Sequence, residues 1–160
     1  MDKVIDLRKA QRELFWFGLI KIPLIFFCRP KLIALDYERV LVKIPFRRRT
    51  KNHLGSMYFG ALAVGADIAG GFLAFNIARQ KKYKMSLAFK SFDAQFLKRP
   101  ESDVYFESLA GEQVVAMLEE SKKTGERQNN RIAINAYCIE SGQNETVATF
   151  NLELSLKVLA

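Results

Sequence analysis

An uncharged run from Leu54 to Ala78, broken only by the carboxylate of Asp67, constrains this chain more than any other feature. Holding a charge inside an apolar helix costs on the order of several kcal/mol unless it is paired, solvated or neutralised. Positions where that cost is tolerated are often sites of chemistry, so Asp67 is the leading functional candidate. The run also carries Gly55, Gly60, Gly65, Gly70 and Gly71, and an interior glycine weakens a helix by about 1 kcal/mol relative to alanine. Such a helix does not stand alone. Interleaved with Ala61, Ala63, Ala66, Ala69 and Ala74, its glycines leave a thin cylinder that other backbone can approach closely. The expectation is a buried helix over roughly 55–78, wrapped by a sheet.

A membrane span is the competing reading, since the run approaches the roughly 20 apolar residues a bilayer requires. Asp67 near its middle opposes insertion by roughly 3 kcal/mol. The other apolar stretch, Leu14 to Cys28, is split by Lys21 and Pro23, ends at Arg29 and lacks a small-residue cleavage site. We therefore expect no membrane span but a single domain over 1–160, with an N-terminal helical extension over about 1–35. Cys28 and Cys138 alone make no disulfide framework, which favours a reducing, cytoplasmic setting.

The net charge of +8 is unevenly placed. Residues 1–100 hold 20 Lys and Arg against 7 Asp and Glu, whereas 101–160 hold 5 against 10. A basic first part suits acidic or phosphate-bearing partners. Nucleic acid is not expected, because no reader motif accompanies the charge.

Periodicity predicts an amphipathic helix over Asp2–Trp16, an apolar turn region around Pro23 and Pro30, and a strand over Arg39–Phe46. A basic loop, Arg47, Arg48, Arg49 and Lys51, precedes the central helix. Strands are predicted over Met85–Leu97 and Val104–Ser108, then a helix over Gly111–Lys123 whose end charges agree with its dipole and which Gly125 stops. Two closing strands, Arg131–Ile139 and Thr146–Lys157, flank the turn Ser141-Gly142-Gln143-Asn144.

One long buried helix among sequential antiparallel strands is the order of an α+β hotdog fold, a curved antiparallel sheet wrapped around a long central helix. Acyl-CoA thioesterases of the phenylacetate-pathway type carry Asn-x-x-Gly-x-x-His-Gly-Gly, then six residues, then Asp. This chain has Asn52, Gly55, Tyr58, Phe59, Gly60 and Asp67 at those positions without a gap. From its opening helix to the closing Ser155-Leu156-Lys157, it resembles a poorly characterised family of the hotdog thioesterase superfamily.

The resemblance implies an acyl-CoA or acyl-carrier-protein thioesterase. Asp67 would be the nucleophile or the base that activates water, the backbone N–H of Phe59, beside Gly60, would hold the oxyanion, and Asn52 would orient water or substrate. A helix N-terminus suits the oxyanion role, since its unpaired N–H groups carry partial positive charge. Phe59 and Asp67 are eight residues apart, about 12 Å along a helix, so one carbonyl cannot reach both within one chain. A second, antiparallel copy is expected to complete the site, as in a hotdog homodimer or dimer of dimers. The chain departs from the motif where Tyr58 and Phe59 replace His and Gly, which narrows access or leaves a module that binds an acyl ligand without hydrolysis.

The remaining candidates have plainer readings beside them. Arg47, Arg48 and Arg49 suit the phosphates of coenzyme A, though such runs are usually solvated loops; Tyr58 is placed with them as a substrate contact. Coenzyme A enters only as part of the substrate, and no separate cofactor is expected. His53, the only histidine, lies three residues from Ser56, but no third group completes a triad and no further ligands point to a metal site. Asn52 also reads as a helix-entry residue and Ser56 as an N-cap. The aromatics Phe15, Trp16, Phe17, Phe26 and Phe27 are expected to pack on the sheet or to line an acyl tunnel.

Overall fold

The computed structural model describes residues 5–160. The chain opens with α1 (Leu7–Ile20), α2 (Pro23–Cys28), β1 (Lys31–Leu35) and β2 (Val40–Ile44). A single 3-10 turn, Arg48–Thr50, leads to the long helix α3 (Phe59–Gln80). There follow β3 (Lys84–Phe96), β4 (Val104–Ser108), α4 (Gly111–Thr124), β5 (Gln128–Glu140) and β6 (Gln143–Leu159). The strands form one antiparallel sheet of 6 strands in the order β1-β2-β4-β5-β6-β3.

Alternation explains how the sheet grips α3. Ile132, Ile134 and Ala136 of β5, and Phe150, Leu152 and Leu154 of β6, are buried at every second position and share one face. α3 lies against them through Ala66, Leu73, Ala74 and Ile77. Its glycines set the approach: a β-carbon at Gly70 would meet Ile132, Leu152 and Ile134 at 3.2–3.4 Å. The hotdog architecture expected from the sequence is present. α3 is long and apolar enough to cross a membrane, but 78% of its most apolar window is buried inside the fold, as befits a core helix.

The largest differences from expectation lie in the first sixty residues; farther on, Gln143 and Asn144 of the expected turn pair with Glu140 and Ile139 as the start of β6, because Ser141 and Gly142 at positive φ reverse the chain by themselves. The opening helix runs Leu7–Ile20, with Asp6 as N-cap accepting from the N–H groups of Arg8 and Lys9 at 3.0 and 3.1 Å. Residues 2–4 of the expected helix lie outside those described. Pro23 starts α2 instead of holding a turn, because at the first helical position its missing N–H is not needed. The helical extension therefore ends at Cys28, not near 35: Leu32 and Leu35 face inward and β1 joins the sheet beside β2. α3 begins at Phe59 rather than near 55, since Gly55 sits at φ 76° in a turn that a helix cannot include.

Candidate functional site

Asp67 lies midway along α3, half-buried, on the wall of a cavity of about 920 Å³. The cavity is enclosed by α1 and α2 on one side, α3 beneath and β3 on the other. Its surface is largely apolar, with Trp16, Phe17, Phe72, Phe75 and Phe89 among its walls. Among the described residues, no group donates a hydrogen bond to the Asp67 carboxylate and no cation forms an ion pair with it. Burial alone pushes its carboxyl above the usual range. A carboxylate made more basic in this way accepts a proton more readily than an exposed one.

Four further charged residues, Lys9, Arg12, Glu13 and Arg79, line the same cavity. Glu13 and Arg79 form an ion pair, and the Arg79 guanidinium also donates to the Asn76 amide oxygen at 3.2 Å. Lys9 and Arg12 pair with no carboxylate among the described residues. Sequence reasoning missed these cations. They sit on what reads as the solvated face of an amphipathic helix, and only the packing of α1 over α3 brings them to the cavity.

The other predicted residues gather at the N-terminal end of α3. Tyr58 is the N-cap residue but supplies no side-chain cap, and the N–H groups of Phe59 and Gly60 have no acceptor among the described residues. They are donors at the positive end of the helix dipole, available to a developing negative charge. The Phe59 ring turns away from the Asp67 cavity. It is 61% exposed and rests against Tyr58 and Phe96, with centroids at 4.8 and 6.5 Å. Gly60 lies beneath Tyr58, where a β-carbon would stand 2.3 Å from the ring.

The preceding loop is fastened by Asn52. Its amide oxygen accepts from the Leu54 and Ser56 N–H groups at 2.9 and 3.1 Å, and its amide nitrogen donates to Ser56 Oγ at 3.0 Å. Ser56 is buried in this clasp and does not cap the helix, while His53 is exposed in the turn. Thr50 holds the basic turn: its hydroxyl accepts from the Arg47 N–H at 3.0 Å and donates to the Pro45 carbonyl at 2.8 Å. The Tyr58 N–H donates to the Thr50 carbonyl at 2.8 Å, which places exposed Arg47, Arg48 and Arg49 next to the start of α3.

The candidate residues thus fall into two groups along α3. Asp67 belongs to the cavity, while Asn52, Tyr58, Phe59, Gly60 and Arg47–Arg49 cluster at the helix start, about 12 Å away along the axis.

A family model described as a domain of unknown function, DUF4442, matches residues 11–156. The chain belongs to the DUF4442 family. No curated protein matches it in sequence. Solved structures share the fold of this DUF4442 domain at low identity. A protein of unknown function from Pseudomonas aeruginosa superposes with TM-score 0.76 at 20% identity, covering 97% of both chains. A mutant thioesterase from the same organism gives 0.72 at 16%, covering 98% of this chain and 97% of that one. A thioesterase family protein from Silicibacter pomeroyi gives 0.68 at 17%, covering 96% and 99%. The fold of this DUF4442 domain is that of the hotdog thioesterase superfamily.

Proposed function

We propose that this DUF4442 domain hydrolyses an acyl thioester, carried on coenzyme A or on an acyl-carrier protein, at a site completed by a second copy of the chain. The observation that carries the reading is Asp67: a desolvated carboxylate, unpaired among the described residues, at the acidic position of the thioesterase motif, on the wall of a large apolar cavity. The cavity is roomy enough for an acyl chain, since small-molecule sites usually span about 300–1,000 Å³.

In this reading the Asp67 carboxylate takes a proton from water as the water oxygen bonds to the thioester carbonyl carbon. The Phe59 N–H of the second copy, with Gly60 beside it, stabilises the resulting oxyanion. Collapse breaks the carbon–sulfur bond, and the thiolate leaves with the proton held by Asp67, giving a free acid and a thiol. Asn52 orients the reacting groups, while Tyr58 and Arg47–Arg49 meet the carrier's phosphate-bearing part. A homodimer, or a dimer of dimers, is supported by β3. Among the described residues this strand of 13 residues pairs only with β6, which leaves its other edge open, and Phe92 and Phe96 on it are exposed. The two buried free thiols, Cys28 and Cys138, favour the cytoplasm as the place of action.

The second reading, an acyl-binding module without turnover, is favoured by one observation: bulky Tyr58 and Phe59 stand where the motif has His and Gly. Free-thiol release from short and long acyl-CoA panels tests both. Thiol release that depends on Asp67 supports the hydrolase; saturable acyl-CoA binding without thiol release supports the module.

A further inference from the structure

We infer that the α1–α2 hairpin docks this domain on an anionic phospholipid surface. Trp16, Ile20, Leu24 and Phe27 are 56%, 67%, 60% and 52% exposed. Trp16 and Ile20 are one helical turn apart on α1, Leu24 and Phe27 one turn apart on α2, so each pair shares a face. Four large apolar side chains at the end of one hairpin exceed the scattered exposure of an ordinary surface.

The hairpin is built to hold its shape with those side chains outward. A β-carbon at Gly18 would stand 2.9 Å from the Phe26 nitrogen, so glycine lets the two helices cross in contact. Gln11 clasps the exit of α2, donating to the Pro30 carbonyl at 3.1 Å and accepting from the Leu32 N–H at 2.7 Å. The Arg29 guanidinium lies over the Phe26 ring at 4.1 Å. A preordered apolar tip loses little freedom on docking.

Charge selects the partner. Residues 14–35 contain Lys21, Arg29 and Lys31 and no carboxylate, and residues 39–66 contain Arg39, Lys43, Arg47, Arg48, Arg49 and Lys51 and again none. The two stretches meet where the Arg49 guanidinium sits over the Phe27 ring at 5.6 Å. The carboxylates that flank the first stretch are engaged, Glu13 with Arg79 and Asp36 with Arg39; in the second, Arg39 and Lys43 are paired with Glu107 and Asp103, which leaves Arg47, Arg48, Arg49 and Lys51 without a carboxylate partner among the described residues. A carboxylate-free apolar tip beside a cluster of cations matches the interface of an anionic bilayer, where headgroups answer the cations and acyl chains receive the apolar residues. The docking does not depend on the hydrolase reading. Trp16, Phe17 and Ile22 also line the cavity, so a docked hairpin would set the cavity wall against membrane acyl chains.

Trp16 is the only tryptophan, so its fluorescence reports directly on this surface. The full chain is titrated with vesicles of phosphatidylcholine alone, and of phosphatidylcholine with about one-third phosphatidylglycerol. The expected result is a blue shift and quenching by brominated lipid with the anionic vesicles only, weakened in about 0.5 M salt. Ile20→Glu and Leu24→Glu change exposed residues outside the cavity lining. Each should keep the circular dichroism spectrum and unfolding midpoint of the wild type while reducing the vesicle-bound fraction about tenfold. Unchanged emission with both vesicle types would overturn the inference. So would a Trp16 already shielded from acrylamide in the free protein and exposed by Ile20→Glu with a fall in oligomeric mass, which would identify a second copy as the occupant.

Discussion

Gly65 lies under the ring of Phe106 so closely that a β-carbon there would stand 2.3 Å from the ring edge. Phe106 is fully buried on β4 and packs against Phe150, with centroids 6.2 Å apart. The ring has nowhere to go. Gly65→Ala gains up to about 1 kcal/mol of helix propensity but forces a shift in a filled core, which typically costs about 1–3 kcal/mol. The net expectation is a lower midpoint in chemical denaturation, and a stability equal to or above wild type would show that this helix–sheet contact is looser than described.

Asp67→Asn should separate function from stability. Losing a positioned base or nucleophile should lower thioester hydrolysis at least about a hundredfold. Because burial raises the carboxyl in the folded state, the native protein binds more protons than the unfolded chain between the ordinary value of 3.8 and the raised one. Wild-type stability therefore falls as pH rises through that window, and the full cost persists above it. Asn carries no charge, so the variant should be the more stable protein at neutral pH, and this difference should shrink as pH falls below the ordinary carboxylate range. Thermal melts of both proteins across pH check the sign, and turnover equal to wild type would make Asp67 structural.

Phe59→Gly restores the small residue of the thioesterase motif. Since the ring is largely exposed, the change sacrifices little packing and costs at most about 1 kcal/mol of helix propensity. Hydrolysis of bulky acyl-CoA should rise if the ring obstructs the second copy's cavity. Weaker acyl-CoA binding with no thiol release would favour the binding module.

Complementation tests whether two chains share one site. Asp67→Asn and Phe59→Pro, the second removing the N–H donor, should each be inactive alone. A mixed dimer should regain activity, because one of its two sites draws an intact Asp67 from one chain and an intact N–H from the other. Proline at the first helical position is well tolerated, so the fold should survive. If refolded mixtures stay inactive while mass measurements show mixed dimers, both groups do not serve one carbonyl.

Where periodicity is long, the sequence is a good guide: β3, β5, β6 and α4 lie within a few residues of expectation, and α3 was legible from its small residues. Short elements were harder. β1 spans five residues, too few for alternation to stand out, and α2 hid behind Pro23, which reads equally well as a turn or a helix start. At the candidate site, Asp67 stood out because one charge in an apolar run is a local signal. The cavity did not, because its walls come from α1, α2, α3 and β3, and no local pattern records that Lys9 and Arg12 lie across from Asp67.

The turn between β5 and β6 has a kinetic consequence. Ser141 and Gly142 both adopt positive φ, 50° and 77°, as a two-residue hairpin turn requires, and β5 and β6 pair outward from it without a long loop to close. The pairing of β3 with β6 joins Lys84 to Leu159 across most of the second half of the chain. Loop-closure entropy therefore favours the β5–β6 hairpin as an early folding nucleus, to which β3 is added later. A substitution that strains Gly142 should slow folding while leaving unfolding nearly unchanged, whereas a weakened β3–β6 contact should mainly speed unfolding.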